Sequence, residues 1–391
     1  MKPLVQMNSN KLFYIDGPGG SGKSYLHNVI IDILNHRGVK VLPIAWTGIA
    51  AILLKGGQTA HTAFKLPLNL TKTSTCGVKK NSTYAKQLKD TQVIIWDEIS
   101  MANVHAFEAV NTFLKDLCNT DEVFGGKIVI LSGDFRQILL VVPKGRKMDV
   151  LNLCVKSSAI LNLFKKYTLK ENMRVQKDNS SEDFKNWLLQ IGEGKGDNKF
   201  EVDNELTSIP EDMIIKTNIV QEIYGDAIKK NDNTVHGKAI LAPRNIDVLE
   251  INNEILHKLE GEIHHCYSID TLITSNDNNN TEYIPQEYLH SLTPNGMPPH
   301  DLKIKIGAIV ILLRNMNIRE GLCNGTRLKI IDIKKYLLYA EIISGACVGK
   351  RVFIPRIELE PSAEELPITF RRRQFPVRIG YAETINKGHG Q

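Results

Sequence analysis

Eight residues near the start of the chain have the spacing that phosphate chemistry needs. Gly17-Pro18-Gly19-Gly20-Ser21-Gly22-Lys23-Ser24 reads G-x-x-x-x-G-K-S. Glycines so placed let backbone N–H groups turn inward around phosphate oxygens, and a helix N-terminus adds partial positive charge. Lys23 is spaced to reach the β- and γ-phosphates of ATP, and the Ser24 hydroxyl to ligate Mg²⁺. Further on, Asp97 and Glu98 close an apolar run. Asp97 would hold the Mg²⁺ shell, and Glu98 would polarise an attacking water. Gln137, in Ser132-Gly133-Asp134-Phe135-Arg136-Gln137, falls where a γ-phosphate would sit and can sense it or orient the water. A glycine-rich turn or a pair of acids arises by chance; the order of the three stretches is what favours ATP hydrolysis.

The elements needed to position these groups are readable around them. Lys11 to Ile15 is a short apolar run rich in aromatic and β-branched residues, as in a buried parallel strand. Tyr25 to His36 has helical character and stops at Gly38. Val39 to Ala45, Val93 to Glu98 and Lys127 to Leu131 read as three more strands, and Phe107, Val110, Leu114 and Leu117 as the core-facing stripe of a helix. Four strands alternating with helices predict an α/β, doubly wound parallel sheet with its ligand at the strands' C-terminal ends. Trp46 to Ala51 and Gly56 to Phe64 place Thr47, His61 and Phe64 just past a strand end. Such residues suit a surface gripping a phosphate backbone and a base, and they suit equally a helix start and a loop. Residues 71–90 read as a polar loop with a short helix.

A chain of 391 residues is too long for one core, so two or three domains are expected. No apolar run approaches the length of a membrane span, and the first residues lack the apolar core of a signal peptide. The six cysteines are scattered without a C-x-x-C pair, which suits a reduced intracellular compartment and argues against a disulfide framework. In His264-His265-Cys266, neighbours on an extended segment point to opposite faces, which disfavours a metal site. A net charge of +6 permits a polyanionic partner without demanding one.

In the second half, Phe184, Trp187, Leu188 and Ile191 suggest a helix, Lys238 to Ala242 a strand, and Asp247 to Leu256 its helix. From Leu302 to Ile357 the pattern changes to short β-rich runs separated by Gly and Asn, the mark of a small barrel. Arg371-Arg372-Arg373 with Arg378 is the densest basic run, either a solvated face or a phosphate contact. Asn386-Lys387 would suit a guanine-reading N-K-x-D signature, but His389 stands where Asp is required, so a GTPase reading fails.

Taken together these stretches resemble the Pif1-like superfamily 1 DNA helicases, and most closely the helicase portion of Helitron transposon proteins. The resemblance rests on GPGGSGKS, TGIAA with GGQTAHTAF, IIWDEISM, LSGDFRQIL with VVPKG, and LKENMRV. It continues through ILAPRN, LTPNGMPPH, LLRNMNIREGLCNGTRL, RRRQFPVRIGYA and TINKGHGQ, in the family's order over nearly the whole chain. It implies a P-loop NTPase with two RecA-like domains and a small SH3-like β-barrel insertion. The expected division is a first RecA-like domain over 1–175, the second from 176 to 301, the insertion over 302–360, and an incomplete return over 361–391. The cofactors implied are ATP and Mg²⁺; the partners are single-stranded DNA and a DNA fork or duplex, with 5′ to 3′ translocation by a nuclear monomer. Roles in repair, recombination, telomere maintenance or Helitron transposition come with the name alone. By the same resemblance Arg174 reaches the nucleotide from the domain junction, and Thr47, His61, Phe64, Asn386 and Lys387 face DNA.

Several departures qualify this picture. Gly388 and His389 replace the family's Ser and Gln, and Leu140 stands where relatives have Pro. The chain also ends before a family segment whose A-L-S-R motif supplies another arginine, and the stretch before Gly17 lacks room for the family's preceding helix and its adenine-reading Gln, although Gln6 is present. The primary expectation is an ATP-dependent DNA helicase. The alternative is a truncated remnant that binds ATP and DNA without productive stepping. A phosphotransferase fits poorly, since no substrate-binding lid is evident.

Overall fold

A computed structural model describes residues 11–391 except 68, 138–139, 141, 143–144, 172, 174–178, 194–208, 229–231, 274–283, 295, 346, 362–365, 367 and 386–391. The chain forms two compact units, 1–213 and 214–391. The first begins with β1 (Leu12–Asp16), α1 (Lys23–His36), β2 (Val41–Ala45), α2 (Gly48–Leu53), β3 (Gln58–Thr59) and α3 (Ala60–Phe64). It continues with α4 (Thr83–Asp90), β4 (Val93–Asp97), α5 (Val104–Cys118) and β5 (Ile128–Gly133). Last come α6 (Lys147–Leu153), β6 (Lys165–Thr168) and α7 (Asn179–Gly192).

All six strands pair in parallel, in the order β3-β2-β4-β5-β1-β6. The expected four-strand sheet thus gains one short strand at each edge. Neither was legible, because an edge strand does not need an apolar face: β3 is Gln-Thr, and all four side chains of β6 are exposed. Central β4 is buried along its whole length. On one face α5 presents Phe107, Val110 and Leu114 to a core that includes Trp96, Phe124 and Phe164. On the other face Ile31 of α1 meets Val93 and Ile95. Burying each of these large side chains contributes about 1.5–3 kcal/mol. The register sets Asp16 opposite Gly133 and Ala45 opposite Asp97, so the strands' C-terminal ends gather at one edge of the sheet.

The second unit contains α8 (Ile219–Tyr224), β7 (Ile240–Ala242), α9 (Asn245–Lys258), β8 (His264–Tyr267), β9 (Ile269–Leu272) and α10 (Gln286–Ser291). There follow β10 (Asp301–Ile304), β11 (Ile309–Leu312), β12 (Arg327–Ile333), β13 (Leu337–Ile342) and β14 (Arg351–Pro355). The last four strands are β15 (Ile357–Leu359), β16 (Phe370–Gln374), β17 (Val377–Ile379) and β18 (Ala382–Thr384). A five-stranded antiparallel sheet runs β14-β13-β12-β11-β17, and β15-β16-β9 and β10-β8 form two smaller ones. β18 and β7 pair in parallel, with the Asn252 side chain of α9 bonding the backbone of Tyr381 and Ala382.

Helix α7 falls within the first compact unit, with Gly192 beside the Arg136 side chain. The β-rich region also reaches beyond 302–360: β10 pairs with β8, β11 with β17, and β15 with β16, so segments on both sides supply strands.

Candidate nucleotide site

The loop from Gly17 to Gly22 joins the end of β1 to the start of α1. Gly20 and Gly22 both have φ of 83°, a left-handed conformation that a side chain would oppose. The Lys23 side chain is buried and donates from Nζ to Gly17 O at 2.6 Å and Pro18 O at 3.2 Å. Ser21 N–H also donates to Pro18 O, which tightens the turn. Ser24 follows in the first turn of α1. The segment after β6 runs beside the loop: Leu169 N–H donates to Asp16 O at 2.8 Å and Met173 N–H to Gly20 O at 2.9 Å. Arg174, together with Asn386 and Lys387, lies outside the described residues.

Asp97 closes β4 and is only 2% exposed. Its Oδ1 accepts the Ser132 hydroxyl at 2.6 Å and the Glu98 N–H at 3.0 Å, which fixes the carboxylate. Glu98 then takes a left-handed conformation, φ 55° and ψ 41°, as the chain turns into the short helix Ile99–Met101. That conformation costs a non-glycine residue roughly 1–3 kcal/mol and persists only where the surroundings hold it. Burial, and then the neighbouring Asp97 charge, push the Glu98 carboxyl up to about 7, with Lys23 opposing. A carboxyl so poised changes protonation state near neutral pH, as a general base should. Its Oε2 has no hydrogen-bond partner.

Gln137 lies over the loop, its Nε2 beside Gly19, and donates to Asp134 Oδ2 at 3.1 Å. Sequence reasoning set Ser132, Asp134 and Arg136 in the stretch at the γ-phosphate without giving them roles, and it passed over His27. Ser132 clamps Asp97, and Arg136 bonds both Asp134 and Asp16. His27 is fully buried, its Nδ1 3.9 Å from Asp97 Oδ2, and neither ring nitrogen has a hydrogen-bond partner. Burial lowers its pKa, which keeps the imidazole neutral. Its position four residues after Lys23 and four before Ile31 marks it as inward-facing, a signal the sequence does carry.

The residues expected to face DNA are treated unequally. Thr47 Oγ1 caps α2 by accepting the Ala50 N–H at 3.3 Å, while the residue stays partly exposed. His61 is half-buried, its ring 4.7 Å from that of Trp46, and burial lowers its pKa. Phe64 requires correction: it is 0% exposed and meets Phe113 edge-on at 6.3 Å, so it is a core residue that cannot present its ring to a base. Part of the basic run is structural as well. Arg372 is buried against Asp270, Arg371 pairs with Glu360, and Arg378 with Glu383.

A glycine-lined phosphate loop at the C-terminal edge of a parallel sheet, facing a strand-end pair of carboxylates, defines a P-loop nucleotide-binding domain of the RecA-like type. The PIF1-like helicase profile matches residues 3–201, and that of the 2B domain of DNA helicase Pif1 matches 287–333. The chain belongs to the PIF1-like helicase family. It is 28% identical over 328 residues to the ATP-dependent DNA helicase Pif1 of a Psychrobacter species, a match covering 83% of this chain but 45% of that protein. The Campylobacter jejuni protein of the same name is 28% identical over 399 residues, covering 96% of this chain and 80% of that one. The chain spans about half or less of the length of several relatives it matches, 34% for the Candida albicans protein. Among solved structures, Bacteroides Pif1 bound to ssDNA superposes with a TM-score of 0.67 at 21% identity, over 99% of this chain and 81% of that one. That likeness extends the shared fold through both units.

Proposed function

We propose that this chain is an ATP-dependent DNA helicase that couples ATP hydrolysis to 5′ to 3′ movement along single-stranded DNA at a fork or duplex. The observation carrying it is the geometry at the phosphate loop, where Glu98 is strained into place beside the buried Lys23 and an Asp97 carboxylate fixed by Ser132. The names of its family relatives, and the DNA in the Bacteroides structure, support the choice of polymer.

In this reading Glu98 takes a proton from water as its oxygen bonds to the γ-phosphorus and the bond to the β–γ bridging oxygen breaks. Lys23 and Arg174 stabilise charge on the transferring phosphoryl group. The hard oxygen donors Ser24 and Asp97 suit Mg²⁺. Asp97 fits that duty because Ser132 and the Glu98 N–H occupy only Oδ1. Such an ion would neutralise phosphate charge. Gln137 reports the γ-phosphate. Thr47 and His61 contact the strand, with Trp46 beside His61 as a further stacking surface.

The test is ATP hydrolysis by the purified chain with and without single-stranded DNA, with Lys23→Ala as the blank. Stimulation by DNA, lost in the variant, is the expected result. Hydrolysis indifferent to DNA would overturn the coupling.

A further inference from the structure

Four charged side chains join the foot of the phosphate loop to Gln137. Asp16, the last residue of β1, immediately precedes Gly17 and is largely buried, with 13% of its side chain exposed. Its Oδ1 accepts from Arg136 Nη2 at 3.1 Å, and its Oδ2 lies 2.8 Å from Lys166 Nζ, so both oxygens are held. The same Arg136 guanidinium donates from Nε to Asp134 Oδ1 at 2.6 Å, and the Arg136 backbone N–H donates to that oxygen at 3.1 Å. The other Asp134 oxygen accepts from Gln137 Nε2, and the Asp134 side chain is only 4% exposed.

We propose that Arg136 is a positioning residue that ties the Gln137 amide to the phosphate loop through Asp134 and Asp16. The chemistry is specific to a guanidinium, because one planar fork must bond two carboxylates at once and a lysine ammonium cannot reproduce that geometry. Asp134, held on one side by Arg136, presents a fixed acceptor to Gln137 on the other. A shift of the loop at Gly17 is therefore passed through Asp16, Arg136 and Asp134 to the amide. The exposed lysine–carboxylate pairs of this unit, such as Lys40–Asp90, are free to rearrange in water. The Arg136 pairs are shielded enough to transmit position.

The proposal rests on reading Gln137 as the γ-phosphate sensor, and its test does not need turnover. Binding of ADP and of a non-hydrolysable ATP analogue is measured for the full chain and for Arg136→Gln, Asp16→Asn, the double variant and Arg136→Lys. Each single variant should lower the preference for the triphosphate over ADP by about tenfold or more. Affinity for ADP should stay within about threefold, because the loop itself is intact. The double variant should be no worse than the poorer single, as members of one link behave, and Arg136→Lys should fall between. An unchanged preference overturns the link. So does a loss of ADP affinity and thermal midpoint in step with the preference, which marks a role in folding alone. A parent chain that discriminates through Arg136 yet never hydrolyses ATP upholds the link and sinks the hydrolase reading.

Discussion

Two regions bury polar groups and treat them in opposite ways. In the second unit the Arg372 guanidinium is fully enclosed, and each of its five N–H donors has a partner. Nε and Nη2 donate to the two oxygens of Asp270, Nη1 to Leu292 O and Pro298 O, and Nη2 also to Leu289 O. At the phosphate loop, by contrast, Ser21 Oγ, both His27 nitrogens, Glu98 Oε2 and Ser100 Oγ are buried without partners. Leaving such groups unpaired costs about 1–3 kcal/mol each; single cases occur elsewhere, as at Arg327 Nε and Arg378 Nε of the second unit, but here five such atoms gather. A satisfied buried charge is architecture. An unsatisfied set at the end of a parallel sheet is a place prepared for chemistry.

That contrast is broken most directly by Glu98→Gln. The carboxamide keeps the shape but cannot take a proton, so ATP turnover should fall by about 10²–10⁴-fold with nucleotide binding retained. Turnover within threefold of the parent (by roughly the scatter such assays allow) would remove Glu98 from the chemistry. Arg372→Met attacks the opposite region. It strands Asp270 in the core and should lower the stability of the second unit by about 3–5 kcal/mol in urea unfolding, with Asp270→Asn recovering part of the loss. A loss below 1 kcal/mol (about the value of a surface pair) would mean that the cluster is dispensable.

The pH dependence sharpens the comparison further. The Glu98 carboxyl is raised from 4.5 to about 7 on folding, so between these values the folded chain binds the extra proton. Stability from this group is thus fully present below about 4.5 and declines as pH rises to about 7, by up to about 3 kcal/mol. Activity should move the other way, with kcat/KM rising through about 7 as the base ionises. Glu98→Gln should flatten both profiles, read by urea titration and by steady-state kinetics. The smallest effect is expected at His61. His61→Ala should weaken single-stranded DNA binding by about 1 kcal/mol, whereas Phe64→Leu should alter stability and leave DNA affinity alone. Equal losses of DNA affinity in the two would undo the distinction between them.

What could be read in advance follows from how local each signal is. The phosphate loop and the strand ending in Asp97 and Glu98 are contiguous patterns, and they lie where the sequence places them. Phe64 misled because an aromatic after a glycine-rich turn looks the same whether it faces solvent or Phe113; only the packing of α3 decides. Arg372 was hidden inside a run of like charges, although strand alternation sets it on the same face as buried Phe370 and Gln374. The links from Asp16 to Arg136 and from Ser132 to Asp97 span 120 and 35 residues, and no local pattern announces them.

The outermost strand of the phosphate-loop sheet has a consequence for solution behaviour. Among the described residues of its unit, β6 has no strand on its outer side, an edge on which a strand from another molecule could add, the usual first step of β aggregation. Its sequence, Lys-Lys-Tyr-Thr, sets two ammonium groups along that edge, and the opposite edge strand β3 is only two residues long. An incoming strand would have to bury charge on one side and would find almost no ladder on the other. Lys166, which pairs with Asp16 at the phosphate loop, is one of the two charges that such a strand would have to cover.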